Sequence, residues 1–259
     1  KVAIRKKYWD VSRGLFADTY KHNSFSQHVN SLAVLAGVIT GDGARQVMHS
    51  VLTDIDLIQV TIYFRYYLNQ ALNKAGLGDE LLEHLGVWKE QMALGLTTWA
   101  ERPEPSRSDC HAWGASPNIE FYRVVLGIDS DAPGFGKVRI APNLGTLKKV
   151  SGTVPHPLGD IAVNYEVDKK GKLIATVDLP ENIKGTFVWK GQNYPLVSGH
   201  QAFTINQQAS AGQRKYYVSS STGDDSNDGL TPKRAFKTLA KASQLRLFPG
   251  DCLLLRAGD

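Results

Sequence analysis

The sequence predicts a multi-domain protein that is α first and β afterwards, and three observations carry that prediction. Apolar residues recur at helical spacing up to about Ile128, period-2 alternation takes over from Val138, and a polar small-residue run at Gln207–Gln213 sets off a third unit. The expected domains are 1–132, 133–208 and, with the linker, 209–259.

The first part reads as helices joined by short Gly-rich turns. Tyr8 to Phe16 looks like a helix end turning over Gly14, and Ser24–Gln27 opens a buried run from His28 to Val38 that stops at Gly41-Asp42-Gly43. Further helices are expected over Ala44–Leu52, over Thr61–Ala75 with Gly76 and Gly78 as stops, and from an Asp79 cap to Leu94. Ser116-Pro117 supplies a cap and first-turn proline for Asn118–Gly127. With no strand between them, these helices must pack on one another, so this part is expected to be all-α.

Strands follow at Lys137–Ile140, Leu147–Val154, Ile161–Val167, Leu173–Leu179, Gly185–Trp189 and Gln201–Ile205, with hairpin turns at Asp168–Gly171 and Lys190–Asn193. Short, regularly spaced strands predict a small antiparallel sandwich. The third unit offers a strand at Tyr216–Val218, an amphipathic helix at Ala235–Leu245 and a strand at Leu253–Leu255, too little to bury a core. A chain that starts at Lys1 without Met and stops just after a strand reads as part of a longer protein.

Composition excludes several classes. Of 259 residues, 42% are hydrophobic and 21% charged, which is ordinary globular usage. The net charge of +5 comes from scattered Lys and Arg with no run beyond Arg5-Lys6-Lys7, so no nucleic-acid footprint is expected. No stretch approaches the roughly 20 apolar residues of a membrane span, and no signal-peptide pattern opens the chain. Cys110 and Cys252 provide neither a disulfide framework nor a CxxC site, and no ligand cluster implies a metal or organic cofactor. In the third unit, Asp224, Ser226, Asp228 and Gly229 have the spacing of a calcium loop, but Ala235 stands where the bidentate Glu is needed, leaving a solvated turn.

Chemistry concentrates in Thr97–Asn118, TTWAERPEPSRSDCHAWGASPN, a proline-broken, aromatic-rich connection between helical segments. Glu101 beside Trp99 reads as a general base or as a solvated loop carboxylate; Asp109, His111 and Trp113 follow, with Arg102 and Arg107 able to orient or pair acids. Trp99 and Trp113 read as platforms for the apolar face of a sugar or as core tryptophans. Tyr63, Phe64, Tyr66 and Tyr67 cover too many helix faces for one stripe, so most are packing residues, with Tyr63 or Tyr67 placed to reach a cleft. Gln27 and His28 read as cleft-lining or as hydrogen-bonded core.

Several motifs in order then resemble the C-terminal half of the catalytic domain of family 78 glycoside hydrolases, the α-L-rhamnosidases: GLFADT, FSQHVNSLAVLAG, TIYFRYYLNQAL, TTWAE, PEPSRSDCHAWGASPN, FYRVVLGI and PGFGKVRIAPNLG. The resemblance covers roughly residues 1–205 and implies a partial (α/α)6 barrel followed by the family's C-terminal β-sandwich. It implies inverting hydrolysis of terminal α-L-rhamnosides of plant glycosides or pectic polysaccharide, with Glu101 as general base, His111 contacting the sugar and Trp113 beside it. The family's general acid sits earlier in the catalytic domain, so the chain alone is expected to lack appreciable activity. YYVSSSTGDDSNDGLTPKRAFKTLAKA with PGDCLLLRAG resembles the cap and first rung of a pectate-lyase-like right-handed β-helix, whose catalytic residues lie on later rungs. The expected partner is a carbohydrate, with secretion or a periplasmic site following by analogy and no oligomeric state implied. The rival reading is a non-catalytic carbohydrate-binding or structural module.

Overall fold

The computed structural model describes residues 1–102, 105, 108–206, 215–245, 247 and 251–259. Arg107, the expected linker at 207–213 and the Pro249-Gly250 turn lie outside the described residues. The chain divides into two units, residues 1–167 with 174–203, and residues 168–173 with 204–259.

The first unit opens with α1 (Val2–Tyr8), which ends in a two-stranded antiparallel hairpin, β1 (Trp9–Asp10) and β2 (Leu15–Phe16). The expectation of an all-α part is corrected here: Trp9 and Phe16 pack edge to face at 4.9 Å, and the ladder satisfies backbone groups that a helix-to-helix turn would leave open. Then come α2 (Gln27–Leu35), α3 (Gly41–Thr53) and α4 (Ile62–Lys74). Ser26 caps α2 by accepting from Val29 N. Gly41 and Gly43 begin α3 rather than preceding it. Leu15, Phe16, Val34, Val47, Met48, Val51, Leu68 and Leu72 form the core of this region. Gln27 is a clamp within it, donating to Val51 O at 2.8 Å and accepting from Val60 N at 2.9 Å.

The helix expected from Asp79 to Leu94 is two elements, a 3-10 turn over Gly78–His84 and α5 (Gly86–Ala93). Asp79 is drawn away from capping, its Oδ1 accepting from Gly145 N at 2.9 Å. The helix after the central stretch is α6 (Ser116–Glu120), continued by one π-type turn over Phe121–Val125. Ser116 lies inside α6 and makes no cap; Pro117 occupies its first turn as expected. Gly127, at φ +73°, ends this helix where a Cβ would meet the Ala141 carbonyl carbon at 2.1 Å, a position only glycine fits.

The sheets of the first unit comprise β3 (Ile128–Ser130), β4 (Lys137–Ile140), β5 (Lys149–Val154), β6 (Ile161–Val167), β7 (Leu173–Leu179), β8 (Lys184–Trp189), β9 (Gln192–Leu196) and β10 (Gly199–Ile205). They form two four-stranded sheets in the orders β3-β4-β8-β9 and β10-β7-β6-β5. The alternation reads directly: Ile161, Val163 and Tyr165 on β6 and Leu173, Ala175, Val177 and Leu179 on β7 are buried. Phe187 on β8 contacts Tyr165 of the other sheet at 6.2 Å and Phe203 at 5.1 Å. The purely antiparallel expectation is corrected at one place: β4 pairs with β8 in parallel, Val138 against Gly185. That pairing joins strands far apart in sequence, which local periodicity does not encode.

In the second unit β11 (Lys215–Val218) pairs in parallel with β12 (Cys252–Leu255), around Tyr216, Val218, Phe236 and Ala242. The expected helix Ala235–Leu245 shortens to α7 (Leu239–Ala242). Phe236 is held extended instead, its N–H donating to Tyr217 O and its carbonyl accepting from Ser219 N, both at 2.9 Å. Asp225 serves this turn, accepting from Lys237 N, Thr238 N and Thr238 Oγ1.

Candidate active site

The central stretch is fixed from behind by α5. Trp88, buried on that helix, donates from Nε1 to Gly114 O at 2.7 Å, and Gln91 accepts from Ala100 N at 3.0 Å. The stretch then folds on itself: Glu101 N donates to Ser108 O at 2.9 Å, His111 N to Trp99 O at 2.8 Å, and Thr98 Oγ1 to Asp109 O. A short two-sided loop results, with Glu101 on one limb and His111 on the other.

Gly114 separates the two tryptophans. A Cβ there would sit 2.5 Å from Trp99 Cβ, so Trp99 packs on the glycine and is half-buried. Trp113, 43% exposed, turns outward with His111 4.4 Å from its ring and Tyr63 of α4 edge-on at 5.6 Å. Tyr67 braces Tyr63 from one helical turn on, at 6.1 Å.

Thr61, Tyr63, Glu101, Arg102 and Trp113 line a cleft of about 670 Å³. Of the residues expected in a site, Glu101 and Trp113 line this cleft, His111 touches it through Trp113, and Trp99 is not among its lining residues. The His111 Nδ1 atom is buried and has no partner among the described residues. His28 stands apart with its ring 4.4 Å from Phe64, and burial lowers its pKa. Among the described residues no group of three His, Cys, Asp or Glu side chains is arranged to hold a metal.

Besides Gln91, a buried acid escaped the sequence reading. Glu120 on α6 is fully buried; its Oε2 accepts from Asn69 Nδ2 of α4 at 2.8 Å, while Oε1 has no partner among the described residues. Burial is the main cause that pushes its pKa up to about 7, against the lowering effect of the Asn69 bond. Nothing in a one-dimensional pattern distinguishes it from a solvated helix glutamate, because its burial depends on α4 lying opposite.

Residues 127–203 match the family described as the bacterial alpha-L-rhamnosidase C-terminal domain. An alpha-L-rhamnosidase of Alteromonas sp. (strain LOR) is 38% identical over 47% of this chain and 15% of its own length. The solved GH78 family rhamnosidase of Bacillus sp. GL1 shares the fold with a TM-score of 0.64 and 26% identity, over 72% of this chain and 22% of that one. The fold is shared also with the alpha-L-rhamnosidase of Streptomyces avermitilis solved with L-rhamnose, at a TM-score of 0.58 and 15% identity, over 72% of this chain and 23% of that one. The chain thus spans less than a quarter of the length of each of these relatives. Residues 127–203 thus match the C-terminal domain of bacterial alpha-L-rhamnosidases, and the chain shares its fold with solved rhamnosidases, one of them of family GH78.

Proposed function

We propose that this chain contributes the general-base half of an inverting α-L-rhamnosidase site. The observation that carries the reading is the lining of one cleft by a carboxylate, Glu101, a cation, Arg102, and two exposed aromatic rings, Tyr63 and Trp113. A volume of about 670 Å³ suits a sugar with part of its leaving group. The rings offer apolar surface to the faces of the sugar, and His111, 4.4 Å from the Trp113 ring, supports that platform from behind the cleft. Trp99 supports the limb that carries Glu101 by packing on Gly114.

In this reading Glu101 takes a proton from the water that attacks the anomeric carbon, while a general acid about 6.5–9.5 Å away protonates the departing oxygen. Glu101 is the one carboxylate among the described residues that line the cleft, and the resemblance assigns the acid to an earlier part of the family's catalytic domain. The helices belong to an (α/α)6 barrel in residues 1–132, and the two sheets form the C-terminal sandwich in 133–208. The parallel β11–β12 pair, in 209–259, is the beginning of a β-helix. The substrate is a terminal α-L-rhamnose on a plant glycoside or pectic chain.

The test is hydrolysis of an aryl α-L-rhamnoside by the chain alone and by a polypeptide extended N-terminally to supply the acid, with other aryl glycosides as controls. The expected result is rhamnose released first as the inverted anomer by the extended protein alone. Equal rates on other glycosides would defeat the substrate assignment. Turnover by the 259-residue chain that is lost on Glu101→Gln would defeat the placement of the acid.

A further inference from the structure

The two rings that wall the Glu101 cleft stand on different elements, and a buried bond joins those elements. Tyr63 belongs to α4, while Trp113 belongs to a 3-10 turn, Ala112–Ala115, that runs without a break into α6. From the far end of α6, Glu120 reaches back to α4 and accepts from Asn69 Nδ2 at 2.8 Å, both residues being buried. Its other oxygen, Oε1, meets no donor among the described residues, and the buried Ser116 Oγ, one turn earlier, is unbonded too. A carboxylate shut away from water with one neutral donor is unfavourable as an anion, so the seam between α4 and α6 is built for the acid form. The cations on the packed elements are engaged elsewhere. Arg123 is bonded to Asp129 at 2.9 Å and Tyr66 at 3.2 Å, Arg65 lies over the Trp88 ring at 6.0 Å, and Lys74 donates to Leu35 O at 2.6 Å. The other titratable groups there are the phenols Tyr63, Tyr66, Tyr67 and Tyr122, with His111 just ahead of the turn.

We propose that Glu120 is a positioning residue for sugar binding in the Glu101 cleft: as the acid it pins α6 to α4 and sets Trp113 against Tyr63, and as the anion it releases them. This rests on the rhamnosidase reading of that cleft. Asn69 shares α4 with Tyr63, and Glu120 shares one unbroken run with Trp113. A shift between the helices at the bond is therefore a shift between the rings, whose centroids lie 5.6 Å apart. On its other side the turn is held to α5, where Trp88 Nε1 donates to Gly114 O at 2.7 Å, so it keeps its fold when the α4 contact loosens. The direction with pH follows from burial, which raises Glu120 from 4.5 to about 7. The pin is complete below 4.5 and is lost as pH rises through 7.

The experiment follows two readouts on the 259-residue chain as pH is raised. One is L-rhamnose affinity by saturation-transfer NMR. The other is acrylamide quenching of Trp113 fluorescence, taken as the difference between the chain and its Trp113→Phe form. The unaltered chain is expected to bind L-rhamnose about tenfold more weakly at about pH 8 than at about pH 6, with Trp113 more open to quencher. Glu120→Gln keeps the acceptor for Asn69 and cannot ionise, so it shows neither change. Asn69→Ala removes the donor and is expected to bind about fivefold more weakly already at about pH 6, which tests the pin apart from the folding of Glu120→Gln. Binding or quenching that stays constant with pH in the unaltered chain overturns the proposal. So does an equal fall in Glu120→Gln, as a titrating His111 would cause, or Asn69→Ala binding like the unaltered chain. Quenching that follows pH in the unaltered chain and not in Glu120→Gln, with no L-rhamnose bound by any form, upholds the pin and counts against the rhamnosidase reading instead.

Discussion

The helices up to Leu126 and the two sheets beyond them bury polar groups in opposite ways. Ser26, Gln27, Asn30, Ser31, Asn69, Gln91 and Glu120 are all buried in the helical part, whereas the described residues of the sheets bury no Ser, Asn, Gln, Glu or other non-aromatic polar side chain. The sheets satisfy their backbones by ladders and need only an apolar inner face. The helices are joined by loops without ladders of their own, so side chains satisfy neighbouring backbone, as Asn30 does by pairing with both N–H and C=O of Phe16. The helical part also leaves Gln91 Nε2 and Glu120 Oε1 without a partner among the described residues, as β8 leaves Trp189 Nε1.

Perturbing each region should therefore give different readouts. The largest stability effect is expected from Phe187→Ala, which empties the contact with Tyr165 and Phe203 and should cost about 3–5 kcal/mol in urea unfolding. An equal loss of L-rhamnose binding in the surviving folded fraction would blur the division. In the helical part, Glu120→Gln should act through pH. The Glu120 pKa is raised from 4.5 to about 7, so its contribution is fully present below 4.5 and is lost as pH rises through 7. At about pH 8 the glutamine protein should be more stable by up to roughly 3 kcal/mol, with the difference shrinking towards about pH 5. A pH-independent difference would place the charge elsewhere.

Gly114→Ala comes next. Its Cβ would force Trp99 aside, costing about 1–3 kcal/mol and weakening L-rhamnose binding, because the Glu101 limb moves with Trp99. The smallest effect is expected from Tyr165→Phe, which removes the hydrogen bond to Leu126 O for about 1 kcal/mol and leaves the cleft untouched.

How legible each region was follows the same division. Period-2 burial located β6 and β7 at their observed ends, and the Lys190-Gly191 turn has the positive φ at both positions that a tight hairpin wants. The parallel β4–β8 pairing was invisible, since long-range pairing leaves no local period, while three-residue β3 and proline-bearing β9 carried too little alternation to read. In the helices, Glu101 and Trp113 stood out because a loop rich in aromatics and acids is unusual. Gln91 and Glu120 did not, because a polar residue on a helix looks solvated until its neighbouring element is known. The β1–β2 hairpin was missed for a related reason: two-residue strands carry no alternation to read.

In the proposed mechanism Glu101 is the base. The most direct measurement is the rate of aryl α-L-rhamnoside hydrolysis by Glu101→Gln in the N-terminally extended protein, alongside its affinity for L-rhamnose. With Glu101 as base, kcat falls by about 10²–10⁴ while rhamnose affinity stays within about threefold, since the amide keeps the shape and loses the proton-accepting power. An unchanged kcat in a protein that still binds rhamnose would contradict it.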